Sequence, residues 1–559
     1  MLDDLLDEVI ALIASAQQPD GYLNTHFTAV EPDKRWRNLR DCHELYCAGH
    51  MIEAGVAHFQ ATGKRSLLDV VCRYADMICH AFGKGAGQIP GYCGHEEIEL
   101  ALVKLYHATG EQRYLRQSEY FVNERGQQPI YFEIERLRRE GLSDPFDAYF
   151  ASVGMKWDPT YCQAHMPVRE QRQVTGHAVR AMYLYSGMAD IANETGDEDL
   201  LEACEALWED VCLRKMYVTG GIGPSRHNEG FTSPYDLPNE TAYAETCAAV
   251  GLAFWNHRLL QFNCDGRFAD VIERTLYNGT ISGISLDGKR FFYENPLASQ
   301  GNRHRQDWFD CACCPPNLAR LLASLGTYIY SQGEGEAAVH LFVQGRGELK
   351  IGGQAVVLRQ ETRYPWEGTV KIDVTPEDPA VFGLKLRLPG WCRSARLSVN
   401  GEAMDYSSLL ERGYICLQRE WKAGDQVLLE LDMPVERVYA HPDVRKDAGQ
   451  VALQRGPVVY CLEEVDQPAP VHLICLPKEA TLEARFEPDL LNGVVTLTSP
   501  ALAVEESDWD KSLYRNTPPR LSAIMLKAIP YYAWDNQSPE RPVTGPMQVW
   551  IQEASYKGE

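Results

Sequence analysis

Near Ser331 the hydrophobic period of this chain changes from that of helices to that of strands, and the switch constrains the fold more than any other feature. Upstream, a unit recurs from Gly49-His50 to Thr62-Gly63, from Gly94-His95 to Thr109-Gly110 and from Gly176-His177 to Thr195-Gly196. Runs such as Ile98 to Tyr106 carry apolar residues on one helical face, and each Thr-Gly suits a helix stop with Gly in the left-handed conformation. Hairpins that each bury one face predict a helical toroid, closed into an (α/α) barrel rather than drawn out as an open solenoid. Downstream, Val370 to Val374, Leu384 to Leu388 and Leu397 to Gly401 alternate with period two and are punctuated by Pro-Gly and Asn-Gly, the pattern of β-sandwich strands. A second β unit is expected to begin near Pro434, where Val435 to Val438 leads through a polar loop into Gln450 to Leu453. At 559 residues the chain is too long for one core. The expected domains are 1–335, helical and catalytic, then β domains at 336–434 and 435–559.

Composition narrows the partners. A net charge of -24, from 54 basic and 78 acidic residues without a long basic run, argues against nucleic acid and against anionic membranes. No apolar stretch approaches the roughly 18 residues of a membrane helix, and Met1 to Glu8 lacks the basic start and apolar core of a signal peptide. The expectation is a cytoplasmic protein acting on a small neutral or cationic substrate, with a homodimer left open. Seventeen cysteines, an odd number in no framework spacing, suit reduced thiols. Cys72, Cys79, Cys204 and Cys212 lie in helical apolar patterns and are expected to pack as small hydrophobes. Thr219-Gly220-Gly221-Ile222-Gly223 lacks the preceding strand and the Lys-Ser/Thr of a phosphate loop.

The chemistry concentrates in Cys311-Ala312-Cys313-Cys314-Pro315-Pro316-Asn317 and in Glu245-Thr246-Cys247. Together they can supply three thiolates and a carboxylate to one Zn²⁺, a soft donor set. A structural zinc, a vicinal disulfide and unrelated thiols are the bland alternatives, and spacing leaves open whether Cys311 ligates in place of Cys313. Glu245 and Cys247, two apart, share one side of an extended segment, so both are expected just before a helix that Ala248 begins. Glu229, in a polar loop, is where a general acid could reach a leaving oxygen if its pKa were raised. His43, His95 and His177 stand at or near helix starts, where converging ends could present imidazoles to sugar hydroxyls. Taken singly, Glu229 reads as a solvated charge, each His as structural and Tyr293 as core.

Taken together, these segments resemble glycoside hydrolase family 127, the β-L-arabinofuranosidase family, over nearly the whole chain. The matching stretches are His43 to Tyr46, Gly94 to Glu99, Thr175 to Arg180, Met216 to Gly220, Tyr235 to Asn239, Glu245 to Cys247 and Cys311 to Pro315. The resemblance implies an (α/α)₆ catalytic barrel followed by β-sandwich domains. It implies Glu245, Cys247, Cys313 and Cys314 as zinc ligands, Cys313 also as nucleophile, Glu229 as acid/base, and His43, His95, His177 and Tyr293 as sugar contacts. The expected reaction is retaining hydrolysis of terminal β-L-arabinofuranose from plant glycans through a thioglycosyl intermediate. Another furanose of pectic side chains, or a non-catalytic carbohydrate-binding protein with a structural zinc, are the competing expectations; an epimerase or lyase fits less well. Family members carry sequence before the segment matching Leu5 to Tyr22. The barrel is therefore expected to lack its first helices, with about ten or eleven candidates against the twelve of a closed barrel. Any signal peptide would have belonged to that region.

Overall fold

A computed structural model of the chain describes residues 2–138, 157–509, 512–537 and 543–554. It divides into two compact units, one of the residues up to Arg214 with His227–Thr232, the other of Lys215–Arg226 with the residues from Ser233 onward.

In the first unit, helices Glu44–Thr62, Ile98–Thr109 and Ala178–Thr195 turn back into Ser66–Ala81, Gln112–Glu124 and Glu198–Arg214. The leading helices of the three hairpins pack side by side. Ala178–Thr195 is buried continuously from Ala178 to Ala189, whereas Gln112–Glu124 buries one stripe made of Tyr114, Leu115, Gln117, Ser118, Phe121 and Val122. Such a difference marks one helix enclosed on all sides over most of its length and another that is amphipathic, with a polar face left outside. The helix stops are as the sequence predicts. Gly63, Gly110 and Gly196 take φ of 72°, 75° and 70° and donate their amides to Phe59, Tyr106 and Ala192, while Thr62, Thr109 and Thr195 bond the carbonyl four residues back.

One reading of the repeat is corrected. Gly49-His50 is not a helix start; it lies inside Glu44–Thr62, whose N-cap is His43. A Cβ at Gly49 would fall 2.7 Å from Glu97 Cγ, so this glycine serves the approach of two inner segments.

In the second unit, helix Thr246–Asn263 packs against Gly266–Arg274 and Cys314–Ala323. Gly266–Arg274 runs into a wide turn at Thr275–Thr280. The Asn278 amide bonds Pro457 O at 2.9 Å and accepts from Val459 N–H at 2.8 Å, which ties the helical part to the last β domain. Thr219 to Gly223 forms a tight turn against the same segment, where a Cβ on Gly220 would lie 2.8 Å from Thr275 Cα.

Strands from Tyr330 to Leu431 form a five-stranded and a six-stranded sheet. The sheets share one core in which Leu384, Leu386, Leu417 and Trp421 meet Val356, Ile372, Val374 and Val427. This is the predicted sandwich. Asn400 and Gly401, at φ 54° and 83°, make the predicted hairpin turn between Ala395–Val399 and Glu402–Met404.

The last domain departs from expectation. Gln450–Arg455, Val458–Glu463, Leu521–Pro530, Val494–Val504, Ile474–Pro477 and Ile551–Ala554 pair in that order, and Ile551–Ala554 returns to Gln450–Arg455. The result is a closed six-stranded barrel, not a sandwich, filled by residues such as Val451, Leu453, Ile474, Leu497 and Leu526. Closure leaves the ring without an edge strand. Among the described residues no helix is long and apolar enough to cross a membrane.

Candidate active site

In the first unit the repeated helix starts bring three imidazoles into a row. The His43 and His95 rings lie 5.6 Å apart, as do those of His95 and His177, with Tyr46 packed 4.3 Å from His95. Their hydrogen bonds fix the tautomers. His43 Nδ1 lies 2.6 Å from Asp41 O and His95 Nδ1 3.1 Å from Glu96 O. A carbonyl only accepts, so both Nδ1 atoms carry the proton and both Nε2 atoms are acceptors while the rings are neutral. Burial, with the Arg180 charge, lowers His43 to about 4 and holds His95 well below the usual range. His177 is the reverse tautomer. Its Nδ1 caps its helix by accepting from Val179 N–H at 3.1 Å and Arg180 N–H at 3.3 Å, so Nε2 bears the hydrogen, 3.2 Å from Glu229 Oε2.

Glu229 is placed by backbone rather than by a helix. Its φ is 49°, and a two-residue bridge lashes its loop to the start of Ala178–Thr195. Ala178 N–H donates to Glu229 O at 3.0 Å and Phe231 N–H to Gly176 O at 2.9 Å. The Tyr161 hydroxyl donates to the same Oε2 at 2.7 Å, and the buried Arg180 guanidinium stacks 4.7 Å over the Tyr161 ring. Burial pushes the carboxyl pKa up, but the His177 and Tyr161 hydrogen bonds and the Arg180 charge outweigh it and bring Glu229 to about 2. In this state Glu229 is a carboxylate, suited to accept a proton.

In the second unit, Glu245, Cys247, Cys313 and Cys314 place one ligand atom each within 4.8 Å of all the others. Two helix starts create the cluster. Glu245, extended, is the N-cap of Thr246–Asn263, and Cys247 sits in its first turn, so this helix begins two residues earlier than the spacing predicts. Cys313 is the N-cap of Cys314–Ala323, whose first turn holds Pro315 and Pro316 where a helix tolerates their missing N–H. Both helix dipoles thus present their positive ends to the sulfurs.

The separations are those of a metal site. Tetrahedral zinc with Zn–S of about 2.3 Å and Zn–O of about 2.0 Å sets S–S edges at about 3.8 Å and S–O edges at about 3.5 Å. Cys247 Sγ and Cys314 Sγ lie 3.4 Å apart, and Cys313 Sγ and Cys314 Sγ 3.7 Å. Glu245 Oε1 lies 3.4 Å from Cys313 Sγ and 3.7 Å from Cys314 Sγ. The donor set therefore fits zinc by both chemistry and spacing. At 3.7 Å the vicinal pair is not a disulfide, and the exposed Cys311 lies outside the group. Glu245, Cys247 and Cys314 are buried, whereas Cys313 is only half-buried.

Tyr293 is not a core aromatic. Its Oη lies 3.2 Å from Cys313 Sγ, and burial with the Glu245 and Cys313 charges pushes its pKa up. The Tyr293 carbonyl accepts from Thr246 N–H at 3.0 Å, and Asn295 fixes this register by bonding Ala244 O and Thr246 Oγ1. Tyr161, Asn295 and Asn317 are site residues that sequence reasoning passed over. Asn317 hydrogen-bonds Cys247 and accepts from Arg320 at 2.7 Å; its place in the Cys-Cys-Pro-Pro-Asn run was the available signal.

Comparison with known proteins matches three stretches of the chain to family models. The catalytic-domain model of the GH127 β-L-arabinofuranosidases matches residues 1–327, the middle-domain model 336–433 and the C-terminal-domain model 435–552. The chain belongs to glycoside hydrolase family 127. This family 127 chain is 41% identical to the non-reducing end β-L-arabinofuranosidase of Bifidobacterium longum subsp. longum, over 96% of its own length and 84% of that protein. A GH127 β-L-arabinofuranosidase from Geobacillus stearothermophilus T6 superposes with a TM-score of 0.95 at 54% identity, over 99% of this chain and 87% of that one. A second GH127 β-arabinofuranosidase gives 0.87 at 39% identity, over 99% and 84%.

Proposed function

We propose that this family 127 enzyme hydrolyses terminal, non-reducing β-L-arabinofuranosides of plant-derived glycans, with retention, through a thioglycosyl intermediate on Cys313. The observation that carries the proposal is the cluster in which three buried donors hold one half-buried sulfur, Cys313, where a substrate could reach it. A purely structural zinc site has no need of an accessible ligand. Glu245, Cys247, Cys313 and Cys314 would hold the metal, which supplies, when bound, the field that keeps the Cys313 sulfur a thiolate near neutral pH.

The chain's own residues then divide the work. The Cys313 sulfur attacks the anomeric carbon as Glu229 gives a proton to the departing oxygen; the C1–O bond breaks and a C1–S bond forms. Glu229, again a carboxylate, takes a proton from water, whose oxygen displaces the sulfur from the opposite face, and two inversions retain the configuration. His43 and His95 accept hydrogen bonds from sugar hydroxyls through Nε2, His177 holds Glu229, and Tyr293 orients the Cys313 sulfur. The acid step needs a protonated Glu229, so the sugar itself raises the carboxyl pKa when it covers the site. In the same reading the three hairpins are sectors of an (α/α)₆ barrel whose inner helices start on one rim.

Hydrolysis of an aryl β-L-arabinofuranoside, with metal analysis of the same sample, tests the proposal. Turnover with one zinc per chain and β-L-arabinofuranose as first product is expected. Bound zinc without turnover on any aryl furanoside would leave a binding protein and sink the proposal.

A further inference from the structure

The last β domain carries a second chemically distinctive cavity. It has a volume of about 270 Å³ and lies where strand Ile551–Ala554 and the Met547–Gln548 pair meet the loops around Asn239 and Leu297. None of its nine lining residues is Asp, Glu, Lys or Arg, in a chain that is 24% charged. Its polar wall is made of Asn239, Gln450, Gln548, Gln552 and His472, and Trp550 contributes an aromatic face.

The amides are held in place by the fold. Gln450 and Gln552 are directly opposed in the pairing that closes the barrel. Gln552 donates from Nε2 to Gly449 O at 2.9 Å, Gln548 to Val471 O at 2.8 Å, and Asn239 from Nδ2 to Asp447 Oδ1 at 2.7 Å. With one N–H of each committed to the protein, each of these side chains keeps its carbonyl oxygen and a second N–H to offer a ligand. Asn239 Oδ1 is buried and accepts from no donor among the described residues. A buried acceptor without a donor is costly.

Three classes of ligand can be weighed against this lining. An anion or a nucleotide would find no countercharge. A purely apolar ligand would bury amide oxygens unsatisfied. A neutral, hydroxyl-rich ring satisfies both the acceptors and the indole, and the volume sits just below the roughly 300–1,000 Å³ of drug-sized sites. We infer that this cavity binds a neutral saccharide unit, as a site separate from Cys313 and Glu229. The site is read from its own lining; only the choice of probe below rests on the proposed substrate.

The test uses the full chain in native gels containing soluble arabinan, with titration calorimetry against L-arabinose. Gln450→Leu with Gln552→Leu is expected to weaken retardation at least fivefold while hydrolysis of an aryl arabinofuranoside stays within twofold of wild type. If that pair does not fold, His472→Ala, at an exposed position, is expected to weaken retardation about twofold by loss of one hydrogen bond. Loss of the L-arabinose heat as well assigns a single ring, and loss with arabinan alone assigns a chain. Unchanged retardation and heat in a folded variant, or no binding by wild type, overturn the inference. Binding without hydrolysis in every protein would instead strike the proposed activity and leave the cavity standing.

Discussion

Gly230→Ala is a one-methyl perturbation that displaces Glu229 without touching its side chain. A Cβ built on Gly230 lies 2.6 Å from the Gly176 carbonyl carbon and 2.9 Å from His177 Cα, and collides with Gly176 O. All three are backbone atoms, and carbon atoms in contact sit about 3.5–4.0 Å apart, so the two carbon contacts alone require the bridge to open by about 1 Å, and the collision with Gly176 O makes this a minimum. The two bonds across it, 3.0 Å from Ala178 N–H to Glu229 O and 2.9 Å from Phe231 N–H to Gly176 O, then stretch to about 4 Å and are lost. At about 0.5–1.5 kcal/mol each, the fold loses about 1–3 kcal/mol, which the chain survives. Catalysis suffers more, because a misplacement of about 1 Å costs on the order of 10²-fold. Denaturant melts, metal analysis and kcat/KM on an aryl arabinofuranoside should show a small loss of stability, unchanged zinc and a drop of about 10²-fold. Wild-type kcat/KM in a variant folded to the same stability would refute the claim that this bridge sets the acid/base.

Glu229→Gln should leave zinc content unchanged and slow an alkyl arabinofuranoside far more, by at least 10²-fold, than one with an activated aryl leaving group, since only the former needs a proton; equal losses would remove Glu229 from the acid role. Tyr161→Phe keeps the ring beneath Arg180 but removes the 2.7 Å donor to Glu229, and kcat on alkyl glycosides should fall about tenfold with KM held, the worth of one charge-assisted hydrogen bond. Burial lowers His43 to about 4, and burial with the His257 and Arg387 charges lowers His340 to about 3, both from 6.5. Below pH 6.5 the unfolded chain takes up protons that these buried rings refuse, so stability should be full above that value and decline as pH falls toward 4. Urea midpoints at pH 7.5 and 5 measure this, and His340→Gln should flatten the slope; a midpoint that rises toward pH 5 would contradict it.

What the sequence revealed follows from how local each feature is. Helix stops at Thr62-Gly63, Thr109-Gly110 and Thr195-Gly196 are readable because the left-handed cap and the hydroxyl bond four residues back are made within one turn. The Asn400-Gly401 hairpin is legible for the same reason. The Cys/Glu cluster could be named from residue chemistry, but choosing Cys313 over Cys311 needed the helix start that turns one sulfur inward. Gly49-His50 mimicked the other two units while serving a close helix contact. Closure of the last barrel depends on Ile551–Ala554 running parallel to Ile474–Pro477, a pairing across some 75 residues that no local pattern encodes. Tyr161 was invisible because its partner Glu229 lies 68 residues away in a loop without periodicity.

The central claim, that the Cys313 sulfur takes the sugar, is tested most directly by quenching the enzyme in acid during turnover of a slow arabinofuranoside and mapping the adduct by peptide mass spectrometry. The account predicts one anhydropentosyl unit on the peptide that contains Cys313, absent from Cys313→Ser. An adduct on Glu229 or another carboxylate, or no adduct together with an inverted product, would contradict it.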